Sequence, residues 1–307
     1  MPHPSEDEPA LTAEIAAGLP QGEIPAGDAK TAEAVRAAVF ALWGRDEVLR
    51  PLASGSTARV WETGEAVVKL ARDEADHFNA GLRATQAVQA SGLEAGAPIP
   101  TRSGALSAVV TVGPHQWMLA LLQRVAGVRV SMHDCEPAAM GQLLAKVHAS
   151  LRDVDPTGAW TVEDVLGHME RGIIPSQPAH TQRMISSAVR AVRAWYGDPR
   201  PRRQAIRGDG PTLFAKDGAI SGMIDWGGVR HGSVVDDIGC WTLHGATRSI
   251  AEYTAAFLSG YTCANALTAD ETRAVPLFQQ LRLASRAWGV TDPSALRVLD
   301  GWMARIR

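Results

Sequence analysis

The feature that most constrains the fold of this chain is a change in the periodicity of its apolar residues near residue 135. Upstream, "VLRPLASGSTARVWETGEAVVKLA" alternates short apolar runs with Gly and Ser, which predicts three strands joined by turns. "ALSAVVTVG" and "QWMLALLQRVAG" predict two more strands. Downstream, as in "EPAAMGQLLAKVHASLRDV", apolar residues recur at helical spacing. The pattern predicts an α+β fold with a small antiparallel β lobe and a large, mostly helical lobe.

The same pattern divides the chain into three segments. Residues 1–30, rich in Pro, Glu and Ala, predict a loose N-terminal tail. Residues 31–125 form the small lobe, in which "TAEAVRAAVFALWG" and "DEADHFNAGLRATQAVQASG" predict helices. Residues 126–307 form the helical lobe, interrupted by a β-hairpin predicted over Leu213–Asp225. We expect a cleft between the two lobes.

Charge and cysteine usage exclude several classes of partner. The net charge of −3 lacks the basic excess of a nucleic-acid-binding protein. The three cysteines are widely spaced and form neither a disulfide framework nor a CxxC metal site, which is typical of a reducing compartment. The acidic N-terminus does not resemble a signal peptide, and no apolar run is long enough to span a membrane. We therefore expect a cytoplasmic protein without a membrane or nucleic-acid partner.

Two aspartates flank the predicted hairpin in "RGDGPTLFAKDGAISGMIDW". Because a hairpin returns the chain to its starting point, Asp209 and Asp225 are expected to face one cleft. In a phosphoryl-transfer site, one such carboxylate acts on the acceptor hydroxyl and the other holds Mg²⁺ against the nucleotide phosphates. The spacing therefore predicts Asp209 as the catalytic carboxylate and Asp225 as the metal ligand. Arg207 is assigned to the catalytic residues with Asp209, where it is expected to support the loop by charge pairing.

The small lobe contains residues suited to binding a nucleotide. Ser56 and Thr57, in "LASGSTARVW", offer hydroxyl and N–H groups to phosphate, and Lys69 ends a strand from which its ammonium can reach the phosphates. Gln123 and Val125, in "LALLQRVAG", can supply main-chain groups to an adenine edge. The alternatives are ordinary turn residues at Ser56 and Thr57 and a solvated strand-end charge at Lys69.

With these motifs, the chain resembles the aminoglycoside phosphotransferase and choline kinase family, whose fold is protein-kinase-like. The resemblance extends from about Leu52 to about Trp241. It is carried by Gly208-Asp209, by Ile224-Asp225-Trp226, and by the later Gly232 and Asp237-Ile238-Gly239. It implies a nucleotide-binding small lobe, a catalytic and acceptor-binding large lobe, ATP and Mg²⁺ as cofactors, and a role for Lys69 in phosphate binding.

Three departures accompany the resemblance. Arg207 stands where the family has His, and "GPTLF" has no Asn to serve as a second metal ligand, which leaves Thr212 as a weaker oxygen donor. The loop after Asp209 is about two residues short. The middle of the helix after Lys69 has no Glu to pair with the lysine, and only Glu74 and Asp76 near its start are acidic.

The resemblance predicts an ATP-dependent phosphotransferase acting on a hydroxyl of a small molecule, such as an aminoglycoside-like natural product. Two alternatives remain open: a kinase of Ser/Thr side chains on a peptide in a biosynthetic tailoring pathway, and a pseudokinase that binds a protein partner with little turnover. Four acidic residues are either receptors for a cationic acceptor or a solvated surface: Asp134, Glu136, Asp236 and Glu252. The identity of the acceptor, the choice of ATP over GTP and the oligomeric state are left open.

Overall fold

The structure is a computed structural model that describes residues 29–52, 58–173, 177–197, 201–246, 249–287 and 293–306. Residues 1–28 of the expected tail lie outside this range, and the first helix already begins at Ala29. The helices are α1 (Ala29–Trp43), α2 (Ala75–Ala90), α3 (Pro137–Leu151), α4 (Val162–Arg171), α5 (Ala179–Tyr196), α6 (Val234–Gly245), α7 (Ile250–Ala264), α8 (Ala269–Arg286) and α9 (Pro293–Arg305).

The small lobe contains a five-stranded antiparallel sheet with the strand order β1-β2-β3-β5-β4. Its strands are β1 (Arg50–Pro51), β2 (Ala58–Thr63), β3 (Ala66–Ala71), β4 (Ala108–Val112) and β5 (His115–Gln123). Alternation along β3 sends Leu70 to the side of the sheet covered by α1 and Ala71 to the side covered by α2. Lys69 shares the parity of Ala71 and therefore lies on the α2 side.

The remaining strands form two small sheets in the large lobe. Strands β6 (Val128–Val130), β9 (Thr212–Lys216) and β10 (Ala219–Ile224) form one sheet, and β7 (Trp160–Thr161), β8 (Gln204–Ile206) and β11 (Arg230–Gly232) form the other. Strands β9 and β10 are the predicted hairpin, whose turn places Asp217 and Gly218 at positive φ, as a tight hairpin turn requires. The two-residue parallel pairing of β7 with β11 was not predicted.

The lobes meet where the chain leaves α2. The amide of Glu94 donates to the carbonyl of Ser221 at 3.2 Å, and the amide of Met223 donates to the carbonyl of Glu94 at 2.8 Å, so this segment pairs with the hairpin. Gly81 in α2 lies against the loop after the hairpin, because a Cβ there would come within 2.7 Å of the Trp226 carbonyl oxygen. The hairpin is thereby attached to the small lobe by backbone contacts on both sides.

The buried core of the large lobe is built from α3 to α9 and the inner faces of its strands. Among the described residues, no helix combines the length and apolar character needed to cross a membrane.

Candidate active site

The open end of the β9–β10 hairpin brings the two predicted aspartates to one region. Thr212 pairs with Ile224 in the ladder, so Asp209 precedes this end and Asp225 follows it. Asp225 has a φ of 70° and an exposed side chain. A positive φ is uncommon outside glycine, and Asp tolerates it better than most residues. The strained backbone turns the Asp225 carboxylate out of the sheet and toward solvent.

Lys69 and Asp225 come together although they belong to different lobes. The Nζ atom of Lys69 lies 4.0 Å from Oδ1 of Asp225. Gly227 lies beside this pair, and Gly228 lies beside Asp209, where a Cβ would be 3.1 Å from the Asp209 Cβ. The two-glycine turn therefore separates the predicted metal ligand and lysine on one side from the predicted catalytic carboxylate on the other.

The helix that covers Lys69 offers it an aromatic ring instead of a carboxylate. Nζ of Lys69 lies 6.0 Å from the centroid of the Phe78 ring. Glu74 is the N-cap residue that precedes α2 and makes no side-chain capping hydrogen bond, and Asp76 is in the first turn. Asp225 is therefore the carboxylate paired with Lys69 in the described part of the chain.

Arg207 is fully buried and holds the loop together through carbonyl oxygens. Its guanidinium donates to the carbonyls of Gly210, Ile224 and Asp225, the last two at 2.9 Å. The expectation that Arg207 acts by charge pairing is corrected: the partners are backbone carbonyls, and no ion pair joins this residue to a described carboxylate. A planar donor fork can satisfy several carbonyls at once, which the shorter imidazole of His cannot.

Asp237 holds the backbone of the loop that leads to Asp209. Its carboxylate, fully buried, accepts hydrogen bonds from the amides of Arg207 at 2.8 Å and Gly208 at 2.7 Å. It also contacts Nε2 of His148 at 3.0 Å, while Nδ1 of that ring contacts the Tyr261 hydroxyl at 2.8 Å. Burial alone would raise the pKa of Asp237, but these hydrogen bonds outweigh it and lower the pKa. Asp237 and His148 thus fix the backbone that carries Asp209.

The carboxylate of Asp209 is paired with the guanidinium of Arg282 on α8. Burial alone would raise the pKa of Asp209, but the charge of Arg282, followed by that of Arg207, holds it well below its usual range. Asp209 is therefore ionised at neutral pH, as an acceptor of a hydroxyl proton must be.

The proposed acidic receptors for a cation are not gathered at this site. Asp236 is buried, and its Oδ2 accepts hydrogen bonds from Nε and Nη2 of Arg230 at 3.0 and 2.7 Å, so Asp236 is neither an available receptor nor part of a solvated surface. Asp134, Glu136 and Glu252 are exposed. Exposed carboxylates are typical of a solvated surface.

The other side chains beside Asp209 are His244 and Arg286. A Cβ on Gly210 would lie 2.5 Å from Nε2 of His244, so the ring covers the residue next to Asp209. Nδ1 of His244 lies 2.9 Å from the Cys240 carbonyl, and Nε2 lies 2.7 Å from Nη2 of Arg286. Since the guanidinium can only donate, Nε2 is the acceptor and the imidazole is neutral with its proton on Nδ1.

The neutral His244 predicts a specific loss of stability in acid. Burial, followed by the charges of Arg282 and Arg286, lowers its pKa to about 3. As the pH falls below about 6.5, His244 binds a proton in the unfolded chain but stays neutral in the folded chain. The stabilising contribution is therefore complete above pH 6.5 and is lost as the pH falls toward 3. We expect a slope of up to about 1.4 kcal/mol per pH unit from this residue.

Urea denaturation of the wild type and of His244→Gln between pH 7.5 and 4.5 measures that contribution. The variant should show a flatter dependence of unfolding free energy on pH. His115→Gln, at an exposed residue of β5, is the matched control and should follow the wild type. Parallel curves for wild type and His244→Gln would contradict the assignment.

The nucleotide-binding residues predicted in the small lobe are described only in part. Ser56 and Thr57 lie outside the described residues. Gln123 ends β5 and Val125 is buried beside Gly222, both in the segment that connects the lobes. Both also line a cavity of about 810 Å³. Because Lys69 and Asp225 are not among its lining residues, this cavity is distinct from the lysine–aspartate pair.

Sequence reasoning missed the cationic side chains beside Asp209. Arg282 and Arg286 are four residues apart in "LRLASR", which places them on one face of a helix. That spacing was the available signal, but nothing local indicated that this face is directed at a loop more than seventy residues earlier.

The comparisons with known proteins agree on architecture. No protein-family model and no curated protein sequence matches the chain. Among solved structures, it is similar to a microcompartment-associated aminopropanol kinase, with 17% identity, a TM-score of 0.68 and coverage of 88% of this chain and 93% of that one. An amicoumacin kinase in complex with AMP-PNP, Ca²⁺ and Ami has 14% identity and a TM-score of 0.69, over 96% and 95% of the two chains.

A choline/ethanolamine kinase family protein from Mesorhizobium loti has 18% identity and a TM-score of 0.59, over 89% and 92% of the two chains. At these identities the likeness concerns the fold, and it extends over nearly the whole length of each chain. It confirms the two-lobed α+β architecture predicted from the change in periodicity. The chain therefore has the protein-kinase-like fold of the aminoglycoside phosphotransferases and choline kinases.

Proposed function

We propose that the protein transfers the γ-phosphoryl group of ATP to a hydroxyl group of a small molecule. The observation that carries the proposal is the meeting of Lys69 from the small lobe with Asp225 from the large lobe, 4.0 Å apart. A kinase site needs a cation for the phosphates and a carboxylate for their metal ion at one place. The fold brings these groups together from positions more than 150 residues apart in the sequence.

The single carboxylate of Asp225 fits a magnesium ion whose other ligands come from a nucleotide and from water. Mg²⁺ is commonly held by one or two carboxylates, with phosphate oxygens and waters completing its shell. Asp225 provides one exposed carboxylate, and no group of three acidic, His or Cys side chains that could hold a metal ion by itself occurs in the described ranges. When bound, Mg²⁺ would neutralise negative charge on the phosphates. Asp225 would hold it, and Lys69 would contact the phosphates beside it.

Asp209 is the residue proposed to act on the acceptor. Its ionised carboxylate would orient the hydroxyl and accept its proton. The acceptor oxygen forms a bond to the γ-phosphorus as the bond from that phosphorus to the β–γ bridging oxygen breaks, and ADP leaves. Asp237 and Arg207 position the loop by holding its backbone. Both are therefore positioning residues in this proposal, which revises the catalytic role first assigned to Arg207.

The neighbours' names favour a small-molecule acceptor over a peptide. The similar structures include kinases or phosphotransferases named for aminopropanol, amicoumacin, aminoglycosides and macrolides. A second candidate, a pseudokinase with a protein partner, is favoured by the pairing of Asp209 with Arg282 and by the missing Asn. Nucleotide binding and turnover must therefore be measured separately.

Lys69→Met tests the nucleotide site. We expect the dissociation constant for Mg-ATP, measured by isothermal titration calorimetry, to rise about 10- to 100-fold, because a charge-assisted hydrogen bond to phosphate is lost. Lys216→Met, at an exposed residue of β9, is the matched control and should bind like the wild type. Equal affinity in Lys69→Met and the wild type would refute the proposed phosphate role.

A thermal-shift measurement separates the two candidate functions. At a concentration 100 times its dissociation constant, Mg-ATP should stabilise the wild type by about 2.7 kcal/mol. Stabilisation together with phosphate transfer to a small alcohol supports the kinase. Stabilisation without transfer to any alcohol or peptide supports a nucleotide-binding pseudokinase. Absence of any shift contradicts the kinase and favours a scaffold that binds a protein partner without nucleotide.

A further inference from the structure

We propose that the acceptor carries an anionic group, a carboxylate or a phosphate, which Arg282 and Arg286 bind beside Asp209. This inference rests on the proposed function, since it specifies the acceptor of that same site. It assigns to the two arginines the selection of an acidic alcohol over a neutral or cationic one.

The arginines occupy the place where an acceptor must lie. Arg282 pairs with the Asp209 carboxylate itself, and Arg286 contacts the His244 ring that covers Gly210. Both arginines lie on α8, one turn apart, so their guanidinium groups extend from the same face of the helix. An alcohol that reaches Asp209 therefore has both groups within its immediate surroundings.

The charges at this place do not balance without a ligand. Asp209 offers one negative charge to the two guanidinium groups of Arg282 and Arg286. The partner of Arg286 is the neutral imidazole of His244, which accepts a hydrogen bond and supplies no charge. The other buried charges nearby are equal in number: Asp236 and Asp237 are negative, and Arg230, which pairs with Asp236, and Arg207 are positive. The cluster thus retains an excess positive charge, which an acceptor anion would compensate.

Two further observations agree with a missing anion. The Nε atom of Arg282 is buried and has no hydrogen-bond partner among the described residues, so a donor is left unused. Burial, followed by the charge of Arg282, lowers the pKa of Arg286, as expected for neighbouring like charges. A carboxylate or phosphate accepts paired N–H bonds from such groups. If the anion paired with Arg282 in place of Asp209, the Asp209 carboxylate would also become free to contact the acceptor hydroxyl.

Matched three-carbon alcohols test the inference by binding, independently of turnover. Glycerate, glycerol 3-phosphate, glycerol and 1-amino-2-propanol are titrated into the full-length protein in saturating Mg-ADP. We expect at least one of the two anions to bind about tenfold or more tightly than glycerol, and 1-amino-2-propanol to bind more weakly than that anion. The two anions distinguish a carboxylate from a phosphate as the recognised group.

Variants of the arginines on α8 test whether these residues bind the anion. Arg286→Gln should raise the dissociation constant of the preferred anion about tenfold without changing that of Mg-ADP, and Arg286→Lys should restore part of the affinity. Arg273→Gln is the matched control, because Arg273 is exposed at the start of the same helix and pairs with Asp270. Circular dichroism checks that each variant is folded.

The inference is overturned if neither anion binds more tightly than glycerol and 1-amino-2-propanol, or if Arg286→Gln binds the preferred anion like the wild type. Failure of the proposed kinase function has a different signature: Mg-ATP binding would be insensitive to Lys69→Met. The two failures are therefore distinguishable.

Discussion

Replacing Asp209 with asparagine is expected to lower the turnover number roughly 10²- to 10⁴-fold, the range that a positioned general base contributes. Asparagine keeps the shape of the side chain but cannot take the hydroxyl proton. Because the two-glycine turn separates Asp209 from the Lys69–Asp225 pair, the dissociation constant of Mg-ATP should change by no more than about twofold. Initial rates with an alcohol that the wild type phosphorylates measure the turnover number, and calorimetric titration of Mg-ATP measures the dissociation constant.

The matched control is Asp217→Asn, at the exposed hairpin turn. Its φ of 52° is one that asparagine also tolerates. This variant should retain the wild-type turnover. Full activity of Asp209→Asn in an assay where the wild type works would place the chemistry at another residue.

Replacing Asp237 with asparagine is expected to destabilise the protein by about 3 kcal/mol. The buried carboxylate accepts hydrogen bonds from two amides and contacts a ring nitrogen of His148, and hydrogen bonds to a charged group contribute about 1.5–3 kcal/mol each. An asparagine retains one acceptor oxygen and turns an N–H group toward existing donors. The free energy of unfolding in urea at pH 7 measures the change.

Asp46→Asn provides the comparison for that experiment. Asp46 pairs with Arg36 at 2.5 Å, but both side chains are exposed, so its removal should cost at most about 1 kcal/mol. Similar losses for the two variants would show that burial and the shared amide donors do not govern the contribution of Asp237.

The parts of the fold that follow local rules could be predicted from the sequence. The alternation of apolar residues identified the strands of the small lobe. The hairpin was predicted over Leu213–Asp225 and spans Thr212–Ile224 in the structure, with Asp217 and Gly218 at its turn. Lys69, predicted to act at the phosphates, lies 4.0 Å from Asp225, the predicted metal ligand, and both roles stay predictions. In each case, neighbouring residues or a motif contained the necessary information.

The rest depends on contacts between distant segments. Nothing near Asp209 indicates that Arg282 pairs with it, because the docking angle of α8 is set by core packing. Arg207 was expected to find a carboxylate, yet the chain folds three carbonyls around it. Asp236 and Asp237 are adjacent, and the sequence does not distinguish their roles. Asp236 pairs with Arg230, whereas Asp237 accepts hydrogen bonds from backbone amides. The roles of Ser56 and Thr57 stay predictions.

The packing of Gly81 against the Trp226 carbonyl bears on how the proposed kinase would be regulated. In protein kinases, activation controls whether a helix glutamate reaches the catalytic lysine, so helix position serves as a switch. Here Phe78 lies at that helix face, and the acidic partner of Lys69 comes from the opposite lobe. Swinging α2 outward would break no lysine–glutamate pair. In the proposed kinase, the pairing of Lys69 with its carboxylate would therefore not depend on the position of α2, and turnover would follow the supply of nucleotide and acceptor.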